Sequence, residues 1–110
     1  MTNLKSEYSP TLEDWAWASG LFEGEGSSHV DRAQPNKRTL SVAITDKDVL
    51  DRFAMVMGVG NVCGPYQHKQ WKPVWRWNIS RLDEVERICR EMEPWLGERR
   101  RAKMSELGIL

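Results

Sequence analysis

The sequence predicts an α+β domain, a four-stranded antiparallel sheet with helices on one face. Three observations lead there. A helix-like run followed by two strand-like runs occurs twice, giving the order αββαββα with a further helical segment at the end. The strand-like runs alternate apolar and polar residues, as strands with one buried face do. The chain has 110 residues, 40% of them hydrophobic and 29% charged, the size and mix of one globular domain spanning residues 1–110.

The elements follow in order. Residues 1–9 are expected to be flexible. Pro10 suits a first helical turn and Thr11 can cap, with Asp14 three residues on, so a helix is expected over 12–22. Leu12, Trp15, Ser19 and Phe22 share one face of it, while Ala16, Gly20 and Gly24 form a stripe of small residues four apart, able to admit a second backbone closely. Gly24-Glu25-Gly26 is its stop. Residues 27–33 are a strand, 34–37 a turn containing Pro35 and Asn36, and Leu40, Val42 and Ile44 mark the next strand. Thr45 is the expected cap of a helix over 46–57, ended by Gly58-Val59-Gly60. Residues 61–67 and 72–79 form the second strand pair, with Trp75, Trp77 and Ile79 inward and Arg76 and Asn78 outward. Ser80 can cap a third helix carrying Leu82, Val85, Ile88, Cys89 and Met92 at helical spacing. Pro94 starts or interrupts a last helix reaching about Leu107.

Several function classes drop out. No apolar run approaches the roughly 18 residues of a membrane span, so no membrane partner is expected. The start is polar, with Lys5 and Glu7, unlike a secretory signal. Two cysteines, Cys63 and Cys89, are too few for a disulfide framework and fit a reducing compartment, the cytoplasm or an organellar matrix. Neither they nor His29 and His68 have zinc-ligand spacing. Cys89 falls on an apolar helix face and reads as a small buried hydrophobe. Trp71, Trp75, Trp77 and Trp95 are expected in the core.

The formal net charge is zero, yet it is unevenly spread. Residues 27–45 and 60–81 carry seven Lys or Arg (32, 37, 38, 69, 72, 76, 81) against one acid, Asp31. The two hairpins are therefore positive and the rest of the chain negative. A sheet bare on one side, polar and cationic, suits nucleic acid; a merely solvated sheet face is the plain alternative.

Glu23 and Glu25 stand at the carboxyl end of the first helix, where the macrodipole disfavours carboxylates, and glycines crowd them. A hard divalent cation would relieve that, although two solvated acids beside a turn would look the same. The spelling of this segment is more informative. WASGLFEGEGS, residues 17–27, resembles the LAGLIDADG motif of homing endonucleases, with residues 18–26 on its nine positions. The element order, the Thr45-Asp46 step, the Gly58-Val59-Gly60 step and PWLGERRR from Pro94 resemble that family too, over roughly residues 12–105.

The resemblance implies the homing-endonuclease-like fold and a metal-dependent DNA endonuclease using Mg²⁺ or Mn²⁺. It places Glu25 as catalytic metal ligand, with the Gly24 carbonyl beside it. Asp46 matches a position that orients water, and Arg99 matches a basic residue near the scissile phosphate, where Arg100 or Arg101 could stand instead; a solvated basic helix is the bland alternative. One motif per chain supplies one acid set, and cutting a duplex needs two. A homodimer follows, packed across Ala16, Ser19, Gly20, Glu23 and Gly24, on a near-palindromic double-stranded DNA site.

If Val42 and Trp75 point inward, parity sends His29, Asp31, Thr39, Ser41, Asn61, Gln67, Lys72, Arg76 and Asn78 outward to DNA. Arg32, Lys37, Arg38 and Lys69 are added as cations, the last three at turns and on phosphates. Arg76 suits guanine, Asn78 adenine and Asp31 cytosine. The rival reading is a non-cutting DNA-binding or intron-RNA splicing protein on the same scaffold.

Overall fold

The computed structural model describes residues 8–31 and 33–110. Most of the segment expected to be flexible, and Arg32, lie outside the described residues. The first helix, α1 (Leu12–Glu25), opens on a reciprocal cap. The Thr11 hydroxyl accepts from the Asp14 amide at 3.1 Å, and the Asp14 carboxylate accepts from the Thr11 amide at 2.9 Å. The Tyr8 hydroxyl donates to the same carboxylate at 2.7 Å, tying the incoming chain to the cap. These donors hold the Asp14 carboxyl below its ordinary pKa, the Thr11 amide contributing most, and the bond to Asp14 raises the Tyr8 phenol.

Strands β1 (Gly26–Asp31), β2 (Gln34–Ile44), β3 (Asn61–Tyr66) and β4 (Val74–Ile79) pair antiparallel in the spatial order β1-β2-β4-β3. Helix α2 (Lys47–Met57) links the two hairpins. Helix α3 (Leu82–Met92), a 3₁₀ turn (Glu93–Trp95) and α4 (Glu98–Glu106) complete the chain. The α+β class, the αββαββα order and the antiparallel sheet all stand as expected.

The alternation also stands. Leu40, Val42, Trp77 and Ile79 are buried, while Arg76 and Asn78 are exposed. The inward row meets Trp15, Ala18 and Phe22 of α1, Leu50, Phe53, Val56 and Met57 of α2, and Val85, Ile88, Cys89 and Met92 of α3. Leu96, Met104 and Ile109 close the core from the C-terminal side. The Phe53 and Trp77 rings meet edge to face at 4.9 Å. Burial pushes the Cys89 thiol up to about 12, so it behaves as the small hydrophobe its helix position implied.

Several local expectations are corrected. The hairpin between β1 and β2 turns earlier than residues 34–37. The Ala33 amide donates to the Asp31 side chain at 2.9 Å, which closes the turn and lets β2 begin at Gln34. The part of β2 before Leu40 pairs with β1 but not β4, and such an edge tolerates Pro35. Lys37 and Arg38 therefore sit in a strand, not at a turn. The caps of α2 and α3 are Asp46 and Arg81, not Thr45 and Ser80, and neither makes a side-chain capping bond. Asp48, Asp83 and Glu84 in the first turns complement the helix dipoles instead. Leu12 and Leu82 kept helical spacing yet are exposed, as are Trp71 (65%) and Trp95 (44%). Spacing identifies a face, but an end residue stays wet when no neighbouring element reaches it.

Two glycines have different physical reasons. At Gly26 φ is −80°, open to any residue, but a Cβ would run into the Phe22 ring, so the helix-to-strand step needs room rather than a left-handed angle. At Gly60 φ is +87° and a Cβ would strike the Trp77 indole, whose N–H donates to the Val59 carbonyl at 2.9 Å.

Candidate nucleic-acid interface and catalytic acid

The carboxyl end of α1 is anchored by the start of α4. The Arg100 guanidinium donates to the Glu23 and Gly26 carbonyls, both at 2.9 Å, satisfying acceptors that a helix terminus leaves orphaned. Arg100 also lies 3.8 Å from the Glu23 carboxylate and over the Phe22 ring, while the Gly97 amide donates to Glu23 at 3.2 Å. Glu23 is thus tied to the start of α4 of its own chain, with its side chain 38% exposed. The expected place of Ser19 facing a second copy is corrected, because it is fully buried within the chain.

The rest of the small-residue stripe is open. Ala16 is half-buried and Gly20 and Gly24 are exposed, with nothing within 4 Å of a Cβ built at either glycine. Glu25 follows, exposed, without a hydrogen bond or ion pair among the described residues. The last turn of α1 holds no basic residue to offset it. Beside the Gly24 carbonyl, such a carboxylate fits a hard divalent cation as one ligand. Among the described residues no three His, Cys, Asp or Glu converge around it.

The outward sheet face is laid out by register. Ser27, Ser41, Asn78 and Asn61 make one row across all four strands, with the Ser27 and Ser41 hydroxyls 2.8 Å apart. Ala43, Arg76 and Cys63 make the next, and His29 pairs with Thr39 in another. The predicted reading residues His29, Thr39, Ser41, Asn61, Arg76 and Asn78 therefore share one face. Asp31 is at the β1 end, occupied by the Ala33 amide. Lys37 has the parity of Thr39.

Arg38 has the opposite parity. It pairs with Val30, on the core side, and its Nε donates to the Leu107 carbonyl at 2.7 Å. Its expected phosphate contact is corrected to a tie between the sheet and the end of α4. Gln67, Lys69 and Lys72 lie on the loop between β3 and β4, as does Trp71. The Gln67 amide donates to the Lys69 and Trp71 carbonyls, which shapes that loop from within.

Asp46 caps α2 and is exposed. Arg99 lines a surface cavity with Ser27, Ser28, Arg100 and Lys103, next to the end of α1. Of the basic triplet, Arg99 faces this cavity and Arg100 is structural. The sequence offers no signal for the Arg100 anchor, and Trp71, expected in the core, is exposed. No spacing rule links residue 100 to a helix end at residue 23, and a lone aromatic carries no periodicity.

No known family description matches the sequence, and no curated protein matches it. Solved structures do. The homing endonuclease I-CvuI, in complex with its target in the presence of calcium, superposes with a TM-score of 0.64 at 16% identity, over 89% of this chain and 66% of that one. The LAGLIDADG meganuclease I-AabMI, bound to uncleaved DNA, gives 0.65 at 16% over 86% of this chain and 34% of that one. The chain has the LAGLIDADG homing-endonuclease fold. I-CeuI, an intron-encoded member complexed with DNA, shares it with a TM-score of 0.60 at 16% identity, over 82% of this chain and 47% of that one. The chain thus spans about two thirds of I-CvuI, half of I-CeuI and a third of I-AabMI. The αββαββα order expected from the LAGLIDADG resemblance is the order of this fold. No helix among the described residues is long and apolar enough to cross a membrane.

Proposed function

We propose that the chain is a site-specific double-strand DNA endonuclease acting as a homodimer at a near-palindromic site, with a divalent metal, Mg²⁺ or Mn²⁺. One observation carries the reading: the small-residue face of Ala16, Gly20 and Gly24, exposed at both glycines, ends at a Glu25 with no partner among the described residues, beside a sheet that turns Ser27, Ser41, Arg76 and Asn78 outward. Two copies packed on that face bring two Glu25 carboxylates and two sheets to one dyad. Each sheet then lies in the major groove of one half-site, and a strand of about seven residues at 3.3 Å per residue covers roughly seven base pairs.

Glu25 and the Gly24 carbonyl would hold the metal, which supplies water activation and charge stabilisation at phosphorus. The chain's own groups do the rest. Asp46 accepts a hydrogen bond from water and orients it. The Arg99 guanidinium offsets negative charge developing on the phosphate. His29, Thr39, Ser41, Asn61, Arg76 and Asn78 read base edges, while Arg32, Lys37, Lys69 and Lys72 meet phosphates. Asp31 and Gln67, engaged with their own loops, read DNA only at the half-site edge. The compartment is the one that holds the target DNA, cytoplasm or organellar matrix.

The deciding experiment selects bound and cleaved sequences from a random duplex library, with and without Mg²⁺. Glu25→Gln should abolish cleavage of the selected site and leave binding intact; persistent cleavage would remove Glu25 from the metal. A second reading, a DNA or intron-RNA binder without cleavage, has one observation in its favour. Arginine at 99 hardly deprotonates and cannot shuttle a proton. Tight binding of wild type to a selected site with no nicking in Mg²⁺ or Mn²⁺ would select that reading.

A further inference from the structure

The loop joining β3 to β4 holds a large apolar ring in water. Trp71 is 65% exposed, and Tyr66 on the same hairpin is 53% exposed. The loop around the indole is tightly built. The Gln67 side-chain amide donates to the Lys69 and Trp71 carbonyls, and the Trp71 amide donates to the His68 carbonyl at 3.2 Å, closing a turn. Lys69 takes a left-handed φ of +54°, which strains a residue that carries a Cβ. The fold thus keeps the indole outward against both its hydrophobicity and a local backbone preference. Strain held in an ordered surface loop points to a ligand outside the chain.

The chemistry around the ring identifies the class of that ligand. The Lys69 ammonium lies 5.9 Å from the Trp71 ring centroid, and the His68 ring centroid lies 4.9 Å from it. Lys72 follows, and residues 52–82 contain no Asp or Glu. Neither Lys69 nor Lys72 has an ion-pair partner among the described residues. A flat apolar ring rimmed by cations fits a planar group joined to an anion, which is the make-up of a nucleotide. A purely apolar peptide would gain nothing from the cations. In a paired duplex, neighbouring pairs cover the faces of each base and only base edges reach the grooves. A stacking ring therefore suits a base outside the pairs. We propose that the 67–72 loop is a platform for an unpaired nucleobase, with Trp71 stacked on the base and Lys69 and Lys72 on the flanking phosphates. The chain then binds single-stranded nucleic acid as well as paired DNA. This rests on the nucleic-acid part of the proposed function and is independent of cleavage.

The test titrates a short oligothymidylate into the full-length protein carrying fluorotryptophan. The fluorine resonance of Trp71, assigned as the one missing from Trp71→Phe, should move saturably. Trp71→Ala should weaken oligothymidylate binding about tenfold or more, and Trp71→Phe should recover most of the loss. The salt dependence separates stacking from charge. Trp71→Ala should leave the log–log slope unchanged, because the indole carries no charge, whereas Lys72→Gln should lower its magnitude by about 0.7. Thermal stability of Trp71→Ala should match wild type, since the ring is exposed. A Trp71 resonance unmoved by oligothymidylate, or an equal loss of affinity for single strand and fully paired duplex, overturns the proposal. So does a response to vesicles of phosphatidylcholine and phosphatidylserine with none to oligothymidylate. A wild type that binds oligothymidylate through Trp71 but neither binds nor cuts a duplex would sink the nuclease reading alone. Duplex cleavage with no oligothymidylate response would sink the platform alone.

Discussion

Arg76 lies mid-row on the sheet, between Ala43 and Cys63. Short neighbours leave its guanidinium free to extend, and among the described residues no acid pairs with it. Arg76→Ala should relax sequence choice at one position per half-site by about 1–3 kcal/mol, read from selection on a randomised site. Unaltered choice there would mean that another element meets the groove. Cys63 supplies a chemical probe of the same row. It is exposed, whereas Cys89 is buried with a thiol pushed up to about 12. An alkylating reagent should modify Cys63 quickly and spare Cys89 until the protein unfolds. Bound DNA should protect Cys63, and equal rates with and without DNA would show that this face does not dock. At this scale parity made His29, Thr39, Ser41, Arg76 and Asn78 legible in the sequence, because strand side chains alternate strictly. Parity also shows why Arg38 was misplaced: its sign suggested phosphate, but its position in the alternation turns it to the core side.

Element boundaries depend on contacts between neighbours, and the cap of α1 is the most local of them. Thr11, Asp14 and Tyr8 lie within seven residues and form their bonds without help from the rest of the fold. The cap carries a pH signature. Asp14 has its folded pKa below the ordinary 3.8, so its contribution is present above that pH and fades as pH falls further. Tyr8 has its folded pKa above the ordinary 10.0, so its contribution is present below that pH and is lost as pH rises through the raised value. Spectroscopic titration should show a raised midpoint for Tyr8, and Asp14→Asn should return it toward 10.0. A midpoint unmoved by Asp14→Asn would break the assignment. The cap was readable because its signals are three residues apart. For α2 and α3 the sequence offers Thr45 and Ser80 as caps, each one residue before the cap in the structure. Any small hydroxyl before an apolar run looks like a cap, and only the fold decides whether its side chain turns to the amides.

For the whole molecule, the open face of α1 leads to the sharpest expectation about assembly. Nothing lies within 4 Å of a Cβ built at Gly20, so a single chain tolerates a side chain there. Replacing a helical glycine with leucine should even favour the helix by roughly 0.5–1 kcal/mol. Across a close helix pair the same side chain holds the backbones apart. Gly20→Leu should therefore keep or raise monomer stability while shifting sedimentation from dimer to monomer, with loss of duplex cleavage. A stable Gly20→Leu dimer would place the dyad on another surface.

The sequence by itself determined the element order, the inward and outward faces of the strands, the α1 cap and the acid at the end of the motif helix. All of these come from signals a few residues apart, carried by helical and strand periodicity and by capping chemistry. Only the tertiary structure decided that Arg100 closes the end of α1, that Glu23 is tied to the start of α4 and Ser19 is buried, that Trp71 stands in solvent, and that Ser28 shares a cavity with Arg99 and Lys103. Those arrangements join residues up to 77 positions apart. No local pattern encodes such a meeting, because it exists only once the sheet has brought the two ends of the chain together.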